Sequence, residues 1–150
     1  MASNKHTDIL VIGSGPGGYA AAFRAADLGR DVVLVDKDPT LGGVCLNRGC
    51  IPSKTLLHIS KVLEEANSLK NMGVTFTKPK IDIDAVRAWK SKVVSQLSGG
   101  IAQMAKARKV TTIQAEATFL SDKEVQLKTN SKKETITFDH CVIAIGSSSS

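Results

Sequence analysis

The chain has 150 residues, with 20 Lys plus Arg against 14 Asp plus Glu and a formal net charge of +6. At 42% hydrophobic and 23% charged residues, the composition is that of a globular domain and excludes disorder, collagen-like repeats and low complexity. Three cysteines are too few for a disulfide-built secreted scaffold. The longest apolar runs, Ile9–Ile12 and Cys141–Ile145, fall far short of the ~18 residues that a membrane helix needs. No basic leader with an apolar stretch and a cleavage site opens the sequence, so no signal peptide and a cytoplasmic location are expected. The basic balance points only weakly to acidic or phosphate-bearing partners.

Thr7–Ile12 reads as a short buried strand that runs into glycine. Pro16–Leu28 follows as an alanine-rich helix, with Gly29 placed as its C-terminal stop. Asp31–Val35 is a second strand, a continuous apolar run bounded by Asp31 and Asp36, the pattern of a parallel strand covered on both faces. Strand, helix and strand together have the size of one right-handed crossover unit. A loop over Asp38–Gly43 leads into a helical pattern from about Cys45 to Asn71, with Leu56, Ile59, Leu63 and Ala66 at helix spacing and Gly73 as the stop. A second long helix is predicted over Asp84–Lys109, with Val86, Trp89, Val93, Leu97, Ile101 and Met104 on one face and a weak point at Gly99–Gly100. Short strands then read at Val110–Ala115, Ala117–Leu120, Glu124–Lys128 and Thr135–Phe138. A separate apolar strand at Cys141–Ile145 ends in Gly146 and the serines 147–150. The expected class is α/β, a Rossmann-like domain with a parallel central sheet and a small antiparallel meander.

The chemistry begins at residues 13–18, GSGPGG, where Gly13, Gly15 and Gly18 fill a G-x-G-x-x-G pattern. Gly13 permits the tight turn out of the strand. Gly15 lets the backbone approach a pyrophosphate, and Gly18 lets the helix pack close to the sheet. Pro16 suits the first helical turn, and the helix start offers free N–H groups to an anion. Such a pattern alone can mark a mere turn. Here it joins a predicted strand to a predicted helix, and Asp36 ends the next strand 18 positions past Gly18, where a ribose-binding acid is expected. An acid there favours a free 2′-hydroxyl. On these residues the ligand is either FAD or NAD.

Cys45 and Cys50 lie in GGVCLNRGCIPSK with four residues between them. Zinc sites normally need two closely spaced pairs, and the third cysteine, Cys141, lies far away in an apolar strand, where it reads as a small buried hydrophobe. In an ideal helix, positions i and i+5 lie about 8.7 Å apart. A disulfide spans at most ~7 Å between Cα atoms. A bond between the two would therefore require a break in the helix, for which Gly49 and Pro52 supply the freedom. The alternative is two unrelated thiols. Lys54 lies one helical turn beyond Cys50, where its ammonium could face a thiolate or a reduced flavin; taken alone it reads as a solvated surface lysine.

Together GSGPGG, the Asp36 strand end, GGVCLNRGCIPSK and the closing IAIGS resemble the flavoprotein disulfide reductases that carry two dinucleotide-binding domains. The block CLNRGCIPSK most resembles the dihydrolipoamide dehydrogenase branch. Glutathione and mercuric reductases are similar but usually have Val where Leu46 and Ile51 stand. The resemblance covers essentially the whole chain. It implies an incomplete FAD-binding domain over 1–150, with the NAD-binding, central and interface domains of the family absent. It also implies a homodimeric parent enzyme, and a sheet completed by a later segment.

Residue by residue, the resemblance implies that Gly13, Gly15 and Gly18 line the FAD pyrophosphate and that Asp36 binds the adenosine ribose. Many relatives have the longer Glu at that position. Lys37, Gly43, Val44 and Cys45 would line the flavin side, Val44 without the hydroxyl of the Thr that many relatives carry. Cys45 resembles the interchange thiol, Cys50 the thiol that faces the flavin, and Lys54 the lysine beside its ring. Ala117 would present backbone to the adenine, while Ala144 and Gly146 would return to the cofactor. None of His6, His58 or His140 matches the family's histidine base. The implied reaction oxidises the dihydrolipoyl groups of a 2-oxo acid dehydrogenase complex's acyltransferase, with electrons passing through Cys45 and Cys50 to FAD and then NAD, and no metal. The implied fragment would be inactive on its own. Two other classes stay open. A non-catalytic binding module with the same fold would need no redox pair. A nucleic-acid binder is disfavoured by spread basic residues and only 4% aromatics, and no membrane partner is expected.

Overall fold

The computed structural model describes residues 5–147. Strand β1 (Lys5–Ile12) lies between β2 (Val32–Asp36) and β6 (Lys133–Ile143), parallel to both, with Leu10 opposite Val33 and Cys141. Strand β3 (Thr111–Gln114) extends this parallel sheet beyond β2. The antiparallel strands β4 (Glu116–Phe119) and β5 (Glu124–Lys128) continue from β6, giving the order β3-β2-β1-β6-β5-β4. Only Ala115 separates β3 from β4, yet they occupy opposite ends of that order. The sheet therefore curls, and the meander folds back over the parallel strands.

This curl explains the continuous apolar run of β2. Val32 and Leu34 pack with Val11, Ala22, Phe23 and Ala25 on the helix side. Val33 and Val35 pack with Leu10, Val125, Leu127, Ile136 and Phe138 under the meander. Both faces are covered, so alternation with polar residues has no place.

Helix α1 (Pro16–Asp27) ends as its sequence predicts. Gly29 takes φ 80°, its N–H donates to the Ala26 carbonyl, and the Arg30 N–H donates to that of Ala25. The predicted helix over Cys45–Asn71 is two helices, α2 (Gly43–Asn47) and α3 (Cys50–Ser68), followed by a 3₁₀ turn over Leu69–Met72. Arg48 and Gly49 leave helical geometry between them. Helix α4 (Ile83–Ala107) runs unbroken through Gly99–Gly100 and begins earlier than predicted, because the Asp82 carboxylate caps the N–H groups of Asp84 and Ala85 at 3.0 Å.

One expectation fails for a physical reason. The strands predicted at Thr135–Phe138 and Cys141–Ile145 are one strand, β6, which stops at Ile143. The polar pair Asp139–His140 is accommodated because β6 is covered by β5 only along Lys133–Thr137. On that side, among the described residues, no strand pairs with Asp139–Ile143, and Val142 and Ile143 are exposed. The apolar faces predicted for the two long helices are also only partly buried. Helix α3 has no buried residue, and of the predicted α4 face only Ile101 is buried, while Trp89, Leu97 and Met104 are exposed. α4 meets the core through Val94, Ile101 and Ala105, and just past its C-terminal end Arg108 pairs with Asp27 and stacks on Phe23. No described helix is long and apolar enough to cross a membrane. Of the closing serines, residues 148–150 lie outside the described stretch.

Candidate functional site

The site begins where β1 turns into α1. Gly13 takes φ 101°, and a Cβ there would lie 2.2 Å from the Ala144 carbonyl oxygen, so the close approach of β6's continuation demands glycine. A Cβ on Gly18 would lie 1.7 Å from the Gly13 oxygen, which presses α1 against the turn. Gly15 differs: it is the N-cap of α1, and a Cβ there would meet nothing within 4 Å. No side chain caps α1, so its first N–H groups and the positive end of the helix dipole have no side-chain partner. A closed turn, an open Gly15 and an uncapped helix start together form a cradle that suits a pyrophosphate.

Helix α2 is set against this cradle. The Gly42 N–H donates to the Ser14 carbonyl at 2.9 Å, and a Cβ on Gly43 would lie 2.7 Å from the Gly15 Cα. Two residues later Cys45 is joined to Cys50 by a disulfide, with Cα atoms 4.7 Å apart. The interruption at Arg48–Gly49 is what shortens the helical i to i+5 distance to this value. The Ser53 N–H and hydroxyl bond to the Gly49 carbonyl and start α3 at once. Cys45 is half-buried and Cys50 exposed. The Arg48 guanidinium pairs with Asp38 at 2.6 Å and ties the disulfide turn to the loop after β2.

A cleft of about 350 Å³ gathers Gly13, Asp36, Lys37, Ala117 and Gly146, five of the predicted site residues. It opens at the C-terminal ends of β1 and β2, where ligands of doubly wound sheets sit. Burial alone would push the Asp36 carboxyl up. The Ser14 hydroxyl, the amides of Asp38 and Ser14 and the Lys37 charge outweigh it and hold the group below its ordinary value. Ala144 acts from behind: its N–H donates to the Ile12 carbonyl at 2.8 Å, and its own carbonyl walls Gly13. Val44 and Lys54 are both exposed, Lys54 one turn along α3 from Cys50. Cys141 is a free, half-buried thiol against the meander core, and burial pushes its pKa up. His6, Asp8 and Asp139 come within 4.8 Å of one another at the opposite end of β1 and take no part in this site.

Sequence reasoning missed Ser14, Gly42 and the Arg48–Asp38 pair. Ser14 occupies a variable position of the glycine motif, which carries no signal of its own. Gly42 had one, the Gly-Gly pair before the helix: it takes φ 112°, and a Cβ there would lie 2.8 Å from that of Leu46.

A family model described as Pyridine nucleotide-disulphide oxidoreductase matches residues 7–150. The chain is 49% identical over 147 residues to a protein named dihydrolipoyl dehydrogenase from Vibrio cholerae, covering 98% of this chain and 31% of the relative. A dihydrolipoyl dehydrogenase of Buchnera aphidicola (Acyrthosiphon pisum) is 52% identical over 142 residues, covering 95% and 30%. One from Haemophilus influenzae is 51% identical over 148 residues, covering 98% and 31%. The chain thus spans about a third of the length of these relatives. The cradle and the Cys45–Cys50 disulfide lie within the matched stretch, and the chain belongs to the pyridine nucleotide-disulphide oxidoreductase family.

Proposed function

We propose that the chain is the FAD-binding, redox-disulfide portion of a dihydrolipoyl dehydrogenase. One observation carries this reading: the Cys45–Cys50 disulfide closes a helix break whose leading helix is pressed against the phosphate cradle. A disulfide held against the glycine cradle supports electron exchange between that bond and a dinucleotide bound there. Gly13, Gly15, Gly18 and the α1 start would hold the pyrophosphate, Asp36 the adenosine ribose, and Ala117 and Gly146 the adenine side. Lys37, Gly43, Val44 and Lys54 would border the rest of the cofactor, with Ala144 backing the turn.

In the proposed reaction one thiolate of a dihydrolipoyl group attacks the Cys45 sulfur. The Cys45–Cys50 bond breaks and Cys50 leaves as a thiolate. The second lipoyl thiolate then attacks its own partner sulfur, closing the lipoyl disulfide and releasing Cys45 as a thiolate. Two protons are lost and two electrons now reside on the cysteine pair. Bound FAD supplies the two-electron chemistry that passes them on as hydride to NAD⁺. The relatives' name points to dihydrolipoyl substrate, which we assign to the acyltransferase of a 2-oxo acid dehydrogenase complex, with the whole enzyme acting as a homodimer. A single glycine cradle is present in these 150 residues, so the chain alone is expected to give no NAD⁺ reduction with dihydrolipoamide; measured turnover would contradict that assignment.

The roles of the two cysteines are tested by trapping. Cys50→Ser, incubated with oxidised lipoamide and quenched with iodoacetamide, should retain a capped lipoyl adduct on Cys45 in the intact mass. Cys45→Ser should retain none on Cys50. An adduct on neither, or only on Cys50, rejects the exchange role. A chain with no reducible disulfide when oxidised would favour the binding-module reading.

A further inference from the structure

Ser14 has no exposed surface, although its side chain is polar. Its N–H and its hydroxyl both donate to Asp36 Oδ2 at 2.6 Å. Asp36 Oδ1 accepts from the Asp38 N–H at 2.9 Å. The Ser14 carbonyl in turn accepts from Gly42. One buried residue thus joins the glycine turn, the end of β2 and the approach to α2. A carboxylate offers about four lone-pair positions. Protein donors fill three of them, and the one that stays free belongs to Oδ1.

We propose that Ser14 is a positioning residue for cofactor binding, locking the Asp36 carboxylate so that Oδ1 alone accepts a single ribose hydroxyl. This rests on the dinucleotide reading above. Ser14 is fully buried, so it acts through Asp36 and does not touch the ligand. The geometry also accounts for a short acid at this position: Asp36 is anchored to the turn itself and does not sweep the cleft. The other charged groups facing it are few. Lys37 and Glu116 share the ribose-side cleft, and Lys106 of α4 borders Asp36 from the opposite cleft. The Asp38 carboxylate is paired with Arg48. Of the hydrogen bonds that favour the ionised Asp36, the one from the Ser14 hydroxyl is the largest. Removing it therefore frees the carboxylate to rotate and to protonate more easily.

The test uses this chain, ADP as the minimal ribose-pyrophosphate probe, and its 2′-deoxy and 3′-deoxy analogues. Amide shifts of residues 13–18 report binding up to millimolar ligand, and the Asp36 carboxyl ¹³C signal reports its titration without ligand. For the wild type, only one of the two deoxy analogues should bind more weakly than ADP. Ser14→Ala should bind ADP about tenfold more weakly, lose the difference between the analogues, and titrate Asp36 at higher pH. Ser14→Gly, which removes the same hydroxyl with less bulk, should do the same, and amide spectra confirm the fold of each. Equal losses with both analogues in the wild type overturn the proposal without any variant. So do unchanged ADP affinity and Asp36 titration in a folded variant, and both results leave the dinucleotide reading intact. Absence of any ADP-dependent shift in the wild type rejects the dinucleotide reading and the proposal together.

Discussion

Alanine substitutions at Gly15 and Gly18 should separate two jobs that the glycine motif combines. At Gly18 the new Cβ would sit 1.7 Å from the Gly13 carbonyl oxygen and 2.8 Å from its carbon. Both are backbone atoms, and Gly13 is itself walled by Ala144, so no flexible side chain can yield. Helix α1 must move away by more than an ångström, loosening Ala22, Phe23 and Ala25 from the sheet. Overpacking of this kind costs about 3 kcal/mol. For a chain of this size that lowers Tm by roughly 6–12 °C. At Gly15 the new Cβ meets nothing within 4 Å and φ is −67°. Losing the N-cap preference for Gly costs up to about 1 kcal/mol, partly offset by a less flexible unfolded chain. The Gly15→Ala melt should therefore stay within about 4 °C of the wild type. Its methyl, however, occupies the space proposed for phosphate, and FAD or ADP affinity should fall at least about tenfold. Circular dichroism melts and ligand titration on the same samples decide the matter. A Gly15→Ala protein that binds like wild type refutes the placement of the pyrophosphate. A Gly18→Ala protein that melts like wild type refutes the packing argument.

Lys109 follows α4 with φ 59°, its N–H bonded to the Lys106 carbonyl. Lys109→Gly should stabilise the chain by about 0.5–1 kcal/mol in urea unfolding, since glycine adopts that conformation without penalty. Asp36 titrates below its ordinary value in the folded chain. Its contribution is fully present above the unfolded carboxylate pKa of about 3.9 and is lost as pH falls through the lower folded value. Asp36→Asn should flatten the acid limb of a Tm-against-pH profile below about pH 4, and an unchanged limb would contradict the bonding at Ser14 and Asp38. The Cys45–Cys50 bond closes a short loop, so its reduction should cost about 2 kcal/mol on chain-entropy grounds. A shift much larger than that in melts with and without reductant would show that the disulfide holds more than its own turn.

The glycine cradle was legible because each glycine answers a local demand, a turn, a close approach or an open face, and those demands recur at fixed spacing. The break between α2 and α3 could be inferred because a helix cannot bring Cys45 and Cys50 together. The single strand β6 was obscured by Asp139–His140, since a polar pair reads as a turn unless one knows that the strand's far side is uncovered there. The periodicity of Leu56, Leu63, Trp89 and Leu97 identified helix faces correctly but said nothing about what covers them. Ser14 was invisible for a different reason. Its importance comes from Asp36, 22 positions away, and from burial that only the fold creates.

The wall that Ala144 builds behind Gly13 also dictates an order of events during synthesis. Residues 13–18 leave the ribosome well before Ala144, and α1 can form from local contacts soon afterwards. The turn itself is fixed by the Ala144 N–H on the Ile12 carbonyl and by the pairing of β1 with β6 from Lys5–Ile136 to Ile12–Ile143. These contacts span more than 130 residues, the slow kind of parallel closure. A nascent chain cannot complete the phosphate cradle until Ala144 has cleared the exit tunnel. Completion of the cradle is thus tied to the arrival of Ala144, well after its glycine motif has been made.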